Sequence, residues 1–206
     1  MRVQICTPSL DGVPSIEYQT SLLKTNNLLL QLGHFVDLNF IRGDQFISKA
    51  RNGLVQGFLE SPEKPEVLFF IDDDEGWDEQ AFLRMCLDSH GIVAAAVPKK
   101  TDTGEFNNVL LDIPPDNKCL IEGGMIRAKQ VGTGFMAIKR WAIEKMVAAH
   151  PQKYRPGDGG PHETTRRGRV EERRARHDAD TRRQVLAGRE RAARHRDCLL
   201  LEVSGQ

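Results

Sequence analysis

Five consecutive apolar residues, Val67-Leu68-Phe69-Phe70-Ile71, are followed at once by four carboxylates, Asp72, Asp73, Asp74 and Glu75. No polar residue interrupts the run, so no alternation reserves one side for water. A short run of this kind marks a strand buried on both faces. Such a strand needs apolar cover above and below, which implies a sheet with helices on both sides. The carboxylates fall at the strand's carboxyl end, where adjacent like charges repel unless a positive group or water takes them up.

The flanking segments suit that sheet. "RVQICTP" alternates and ends a first strand at Pro8. A helix is expected from about Ser15 to Leu32, stopping at Gly33. "HFVDLNFI" sets Phe35, Asp37 and Asn39 against Val36, Leu38 and Phe40, a second strand. Ile47, Ala50, Leu54 and Phe58 recur at helical spacing, with Asp44 available as an N-terminal cap. "DEQAFLRMCLDS" reads as an amphipathic helix with Phe82, Leu83, Cys86 and Leu87 inward, and "GIVAAAV" as a fourth strand. From Lys99 to Gln130 short pieces rich in Pro, Gly and Asn predict hairpins or loops beside the sheet. "VGTGFMAIKRWAIEKMV" then predicts a glycine turn, a short strand and a last helix. The order predicts an α/β, Rossmann-like, mostly parallel sheet with helices on both faces.

The 206 residues suffice for one domain of ordinary size, but the residue vocabulary changes at Pro156. Beyond it stand twelve Arg, no Lys, and no Phe, Trp or Tyr. The expected division is a domain over residues 1–154 and an Arg-rich, low-order tail over 155–206. A basic arm for nucleic acid is the competing reading. Nine acids offset those arginines and no aromatic is there to stack on bases, so a nucleic-acid partner is not expected. Arg without Lys, with abundant Ala, Gly and His, suits GC-rich codons read out of frame, which translation of the other two frames past codon 155 tests.

Cys6, Cys86, Cys119 and Cys198 form no CxxC pair and are expected as reduced thiols. No apolar stretch approaches the roughly 20 residues that span a bilayer. The start enters a strand directly without a signal-like core, so a cytoplasmic protein is expected. His34, His90 and His150 fall at element boundaries, where helix ends and solvent account for them.

In open parallel sheets, ligands gather at the carboxyl ends of the strands. Extended-chain alternation would place Asp72 and Asp74 on one side and Asp73 on the other. Two carboxylates on one side can hold a hard divalent cation that keeps waters and takes phosphate oxygens, Mn²⁺ and Mg²⁺ being indistinguishable by spacing. The competing reading is a charged turn before the next helix, with Asp78 at its N-terminus. Arg51 has the alternative of a surface salt bridge, and Asn52-Gly53 that of a local helix irregularity. Thr7 and Pro8 have the alternative of simply ending a strand, and Gly132-Thr133-Gly134 that of a tight turn.

The ordered set "GDQFISKARNGLVQGFLES", "VLFFIDDDEGW" and "VGTGFMAIKR", within Arg2 to about Ala149, resembles glycosyltransferases of the A-type, nucleotide-diphospho-sugar-binding fold. It looks closest to family-2-like and phage-associated members. The resemblance implies metal-dependent transfer of a sugar from a nucleotide-diphosphate donor to an acceptor hydroxyl on a glycan, protein or small molecule. It implies Asp72 and Asp74 as ligands of Mn²⁺ or Mg²⁺, with Asp73 beside them at the donor. Thr7, Pro8 and Asp11 would line the nucleotide pocket. Arg51 and Asn52 would orient the donor, and Gly132, Thr133 and Gly134 would open the acceptor side. Members of this kind usually carry a further catalytic carboxylate after the "GTGF" element, and none is found; Glu163, Glu171 and Glu172 lack apolar surroundings. The closing part is therefore read as truncated or replaced by the tail. The alternative from another class is a non-catalytic nucleotide or nucleotide-sugar binding module.

Overall fold

The computed structural model describes residues 1–97, 106, 110–111, 121–122, 124–153 and 200–203. The chain divides into two units, Met1–Gly160 with Cys198–Gln206, and Pro161–Asp197; the second lies outside the described residues. Strand β1 (Arg2–Ser9) leads into α1 (Ile16–Gln31), β2 (Phe35–Arg42), α2 (Ile47–Glu60), β3 (Val67–Ile71), α3 (Glu79–Leu87) and β4 (Ile92–Ala95). The short strands β5 (Leu110–Leu111) and β6 (Ile121–Glu122) precede β7 (Met125–Gln130) and β8 (Phe135–Lys139). Helix α4 (Arg140–Ala149) and a 3-10 turn (Pro151–Lys153) follow, and β9 (Leu200–Val203) comes last.

The helices on both faces follow from β3. All five of its residues are buried. Val67, Phe69 and Ile71 pack into one core with Tyr18 and Leu29 of α1 and Phe82, Met85 and Cys86 of α3. Leu68 and Phe70 face the other core, with Leu54 and Phe58 of α2 and Ala142 and Ile143 of α4. Helix α2 lies close on β2 because Gly53 and Gly57 are one turn apart. A Cβ on either would stand 2.9 Å from Ile41 or 3.0 Å from Asn39.

Three details depart from the sequence-based expectations. Ser15 caps α1 and Asp78 caps α3, but Asp44 does not cap α2. Its Oδ1 accepts from Phe46 N at 3.0 Å, a local turn that leaves Phe46 as the first flanking residue. In α3 the inward stripe is Phe82, Met85 and Cys86, whereas Leu87 is 61% exposed. Residues three and four apart share a helix face, and Leu87 is five past Phe82. Ile47 is likewise exposed at the first turn of α2.

The sheet is mixed rather than mostly parallel. Its order is β2-β1-β3-β8-β4-β9-β7-β5, with β6 paired to β7. Strands β2, β1 and β3 run parallel, but β8 enters antiparallel between β3 and β4. Only residues 131–134 separate β7 from β8, and β8 starts opposite the end of β3, Phe135 facing Ile71.

Part of the expected low-order tail also sits in this sheet. Leu200–Val203 pairs antiparallel with β4 and parallel with β7. This is the end of the tail's longest apolar stretch, and strand pairing satisfies its backbone. Residues 112–120, with Cys119, and 154–199, with Cys198 and the acids Glu163, Glu171 and Glu172, lie outside the described residues. Cys6 and Cys86 are free and buried, and burial raises both thiols well above their usual range. Among the described residues no helix is long and apolar enough to cross a membrane.

Arg140 ties α4 to α2. Its Nε donates to Pro65 O and its Nη2 to Phe58 O, each at 2.7 Å, and its guanidinium lies 4.3 Å from the Phe58 ring centre. Arg140→Met keeps the stem and removes both charged donors. It is expected to lower stability by about 2–4 kcal/mol, read as a lower urea midpoint at unchanged m.

Candidate functional site

The carboxylate cluster begins where β3 ends. Asp72 N donates to Gly134 O at 2.9 Å, carrying the β3–β8 ladder one residue past Ile71. The chain then turns, and Glu75 N donates to Asp72 O at 3.2 Å. Extended alternation therefore stops at Asp72 and does not by itself set Asp74 on its side. A β-turn brings its first and fourth residues together. The acid delivered beside Asp72 is Glu75, and Asp74 stands exposed on the turn.

The protonation of Glu75 registers this crowding. Its carboxyl is pushed up to about 7 from 4.5, first by burial and then by the charge of Asp72. Sequence reasoning did not place Glu75 in the site. The composition Asp-Asp-Asp-Glu-Gly was the available signal, being that of a turn rather than of a strand's continuation.

Arg51 answers the question of what neutralises the cluster. Its Nη2 donates to Asp72 Oδ1 at 2.7 Å, so its ion pair is with the expected metal ligand rather than with a surface partner. The Arg51 side chain is 19% exposed and that of Asp72 37%. Phe70, the last β3 residue on that face, lies 5.8 Å from the guanidinium carbon. Arg51 Nε is buried and has no hydrogen-bond partner among the described residues. On the other side of Asp72, a Cβ at Gly134 would stand 3.0 Å from Oδ2. The bare backbone there is what admits the carboxylate.

Helix α1 holds the rest of the loop. Ser15 N donates to Asp73 O at 2.8 Å. Trp77 N donates to Ser21 Oγ at 2.9 Å, and its indole Nε1 donates to Thr25 Oγ1 at 2.7 Å. Its ring meets Tyr18 edge-on with centroids 5.1 Å apart. Residues 73–77 are thus strapped along one side of α1, a contact not visible in either segment alone.

Of the other expected site residues, Thr7 and Pro8 follow Cys6, which pairs with Phe70, and so end β1 at the same edge of the sheet as Ile71 and Asp72. Thr7 is wholly buried, and its hydroxyl shares a 2.7 Å hydrogen bond with Tyr18, whose own hydroxyl burial pushes up to about 12. Pro8 is buried as well, at the end of β1. Asp11 is exposed, its Oδ1 accepting from Val13 N at 2.9 Å in the loop after β1. Asn52 points outward from α2, and Gly132 and Thr133 are half-buried beside Gly134. His90 has an acidic partner, Asp88 at 2.7 Å, in a turn closing α3. A groove of about 410 Å³ lies elsewhere, lined by Asp37, Asn39, Gly57 and Glu60 among others, toward the opposite end of β3.

The geometry fits a cation of modest protein ligation. Among the described residues no three of His, Cys, Asp and Glu gather as a cage. Asp72, with Glu75 beside it, is a cluster that a hard cation retaining several waters can use. The orphaned Arg51 Nε suits an anionic group next to it. Comparison with protein-family models, curated proteins and solved structures returned no match.

Two outcomes follow. Thr25→Val removes the acceptor of the Trp77 indole and is expected to cost about 1–3 kcal/mol, with shifted Trp77 emission in a Trp141→Phe background. For Glu75, the folded chain holds a proton that the unfolded chain releases between 4.5 and about 7. Its stabilising contribution is therefore complete at acid pH and lost as pH rises through 7, by about 2 kcal/mol after screening. Urea midpoints at pH 5.5 and 8 measure this, and Glu75→Gln is expected to flatten the difference.

Proposed function

We propose that the protein is a metal-dependent glycosyltransferase that moves a sugar from a nucleoside-diphosphate donor to an acceptor hydroxyl, on a Rossmann-like fold of the A type. The observation that carries this reading is the 2.7 Å contact between Arg51 and Asp72 at the carboxyl end of a wholly buried central strand. A carboxylate for a cation and a guanidinium for phosphate meet there, at the sheet edge where α/β proteins bind ligands.

In this reading Asp72, with Glu75 beside it, would hold Mn²⁺ or Mg²⁺, the notional second ligand Asp74 being exposed on the turn. The cation's contribution is to neutralise charge on the departing nucleoside diphosphate without a proton. Arg51 directs its spare donors at the diphosphate oxygens and orients the leaving group. Gly134 packs against Asp72 Oδ2, and residues Gly132 to Gly134 would border the acceptor. Strapping of the loop to α1 fixes these groups before the donor arrives, which lowers the cost of ordering them.

A thermal-shift panel of nucleoside diphosphates, with and without Mn²⁺, tests the reading. One nucleotide at a hundred times its Kd is expected to raise Tm by roughly 5–10 °C only when Mn²⁺ is present. Asp72→Ala is expected to abolish the shift. A full shift in that variant, or no shift with any nucleotide and Mn²⁺, rules the site out. A shift without sugar transfer or donor hydrolysis would make the chain a binding module instead.

A further inference from the structure

Arg51 and Asp72 lie 21 residues apart and meet through one hydrogen bond. That bond is short and charge-assisted, yet it uses one corner of the guanidinium. Arginine offers five donors in a planar fork, and the strongest carboxylate pairing is two-pronged. Here Nη2 reaches Oδ1, while Nε is buried with no partner among the described residues. A buried donor left unsatisfied is destabilising, and an oxygen of an anionic ligand would supply what it lacks. The Phe70 ring flanks the guanidinium at 5.8 Å from its carbon, near the outer limit of a cation–π contact. Asp72 is the more exposed of the pair, so ions from solvent reach the carboxylate directly.

We propose that Arg51 is the resident counter-ion of Asp72 and is released to the donor's diphosphate when a divalent cation takes over the carboxylate. This rests on the transferase reading above and adds to it an order and a coupling. Before the cation arrives, Arg51 is engaged, and the acids of the turn repel phosphate. Afterwards Asp72 stays neutralised, and the freed fork faces the anion together with the cation. Each ligand must then raise the affinity for the other by the same factor, as linkage requires. The same exchange makes Arg51 a competitor of the cation when no anion is present.

The signature is a pair of shifts of opposite sign. Mn²⁺ alone, followed by the loss of its free-ion paramagnetic signal, is expected to bind Arg51→Gln about tenfold tighter than the wild type. Pyrophosphate, titrated calorimetrically at saturating Mn²⁺, is expected to bind the same variant about tenfold more weakly. Arg51→Lys keeps the charge but not the fork, and is expected to fall between the two for both ligands. It also serves if the Gln variant does not fold. Lys49→Gln removes a neighbouring charge that is paired with Asp44 at 3.5 Å, and is expected to leave both affinities within about twofold.

Unchanged or weaker Mn²⁺ binding by Arg51→Gln overturns the exchange. If the wild type still binds Mn²⁺ and pyrophosphate, the transferase reading survives that result. Equal shifts in Lys49→Gln and Arg51→Gln overturn it too, because a diffuse field then suffices. Mn²⁺ binding that appears only in Arg51→Gln supports the exchange in its strongest form. Failure of every form to bind Mn²⁺ and pyrophosphate removes both the transferase reading and the exchange.

Discussion

Burial of β3 on both faces is the constraint from which the rest of the structure proceeds. Alternate residues of one five-residue strand feed two separate cores, so α1 and α3 must cover one side and α2 and α4 the other. A strand enclosed in this way can meet water only at its ends. The carboxylates at its exit therefore lie where three elements converge: the end of β3, the start of β8 and the first turns of α2.

Charge at that exit is managed by geometry. Three adjacent aspartates and a glutamate cannot all face one another, and the turn after Asp72 separates them. It leaves Asp74 exposed and brings Glu75 back, where burial and Asp72 together favour its protonated form. Arg51 balances Asp72 from α2, one residue after Ala50 of the buried stripe. The helix that covers one core thus also supplies the site's cation. On the other face, α1 covers a core with Tyr18 and Leu29 and holds the carboxylate loop with Ser21 and Thr25. Packing and site geometry are carried by the same two helices, so damage to either is expected to reach the site.

Strand β9 closes the sheet differently. It lies between β4 and β7, and β7 carries β5 and β6. That outer group joins the remainder of the sheet through a strand from the end of the chain. Composition marked the segment from Pro156 as unlike the rest, and Leu200–Val203 shows that composition and pairing are separate matters. Four residues can complete a ladder through their backbone groups whatever precedes them.

The order of elements from β1 to β4, the two-faced burial of β3 and the stripe of Ala50, Leu54 and Phe58 were legible from residue periodicity. These features depend on neighbours within a few positions, and side-chain period reports them directly. The placing of acids at a strand's exit was legible for the same reason. The direction of β8, the burial of Thr7 against Tyr18, the approach of Glu75 to Asp72 and the choice of Arg51 as partner were not. Arg51 meets Asp72 across 21 residues, and Trp77 meets Thr25 and Ser21 across 52 and 56. No local pattern specifies contacts at such separations. They are decided when the two cores close and bring distant segments to one edge of the sheet.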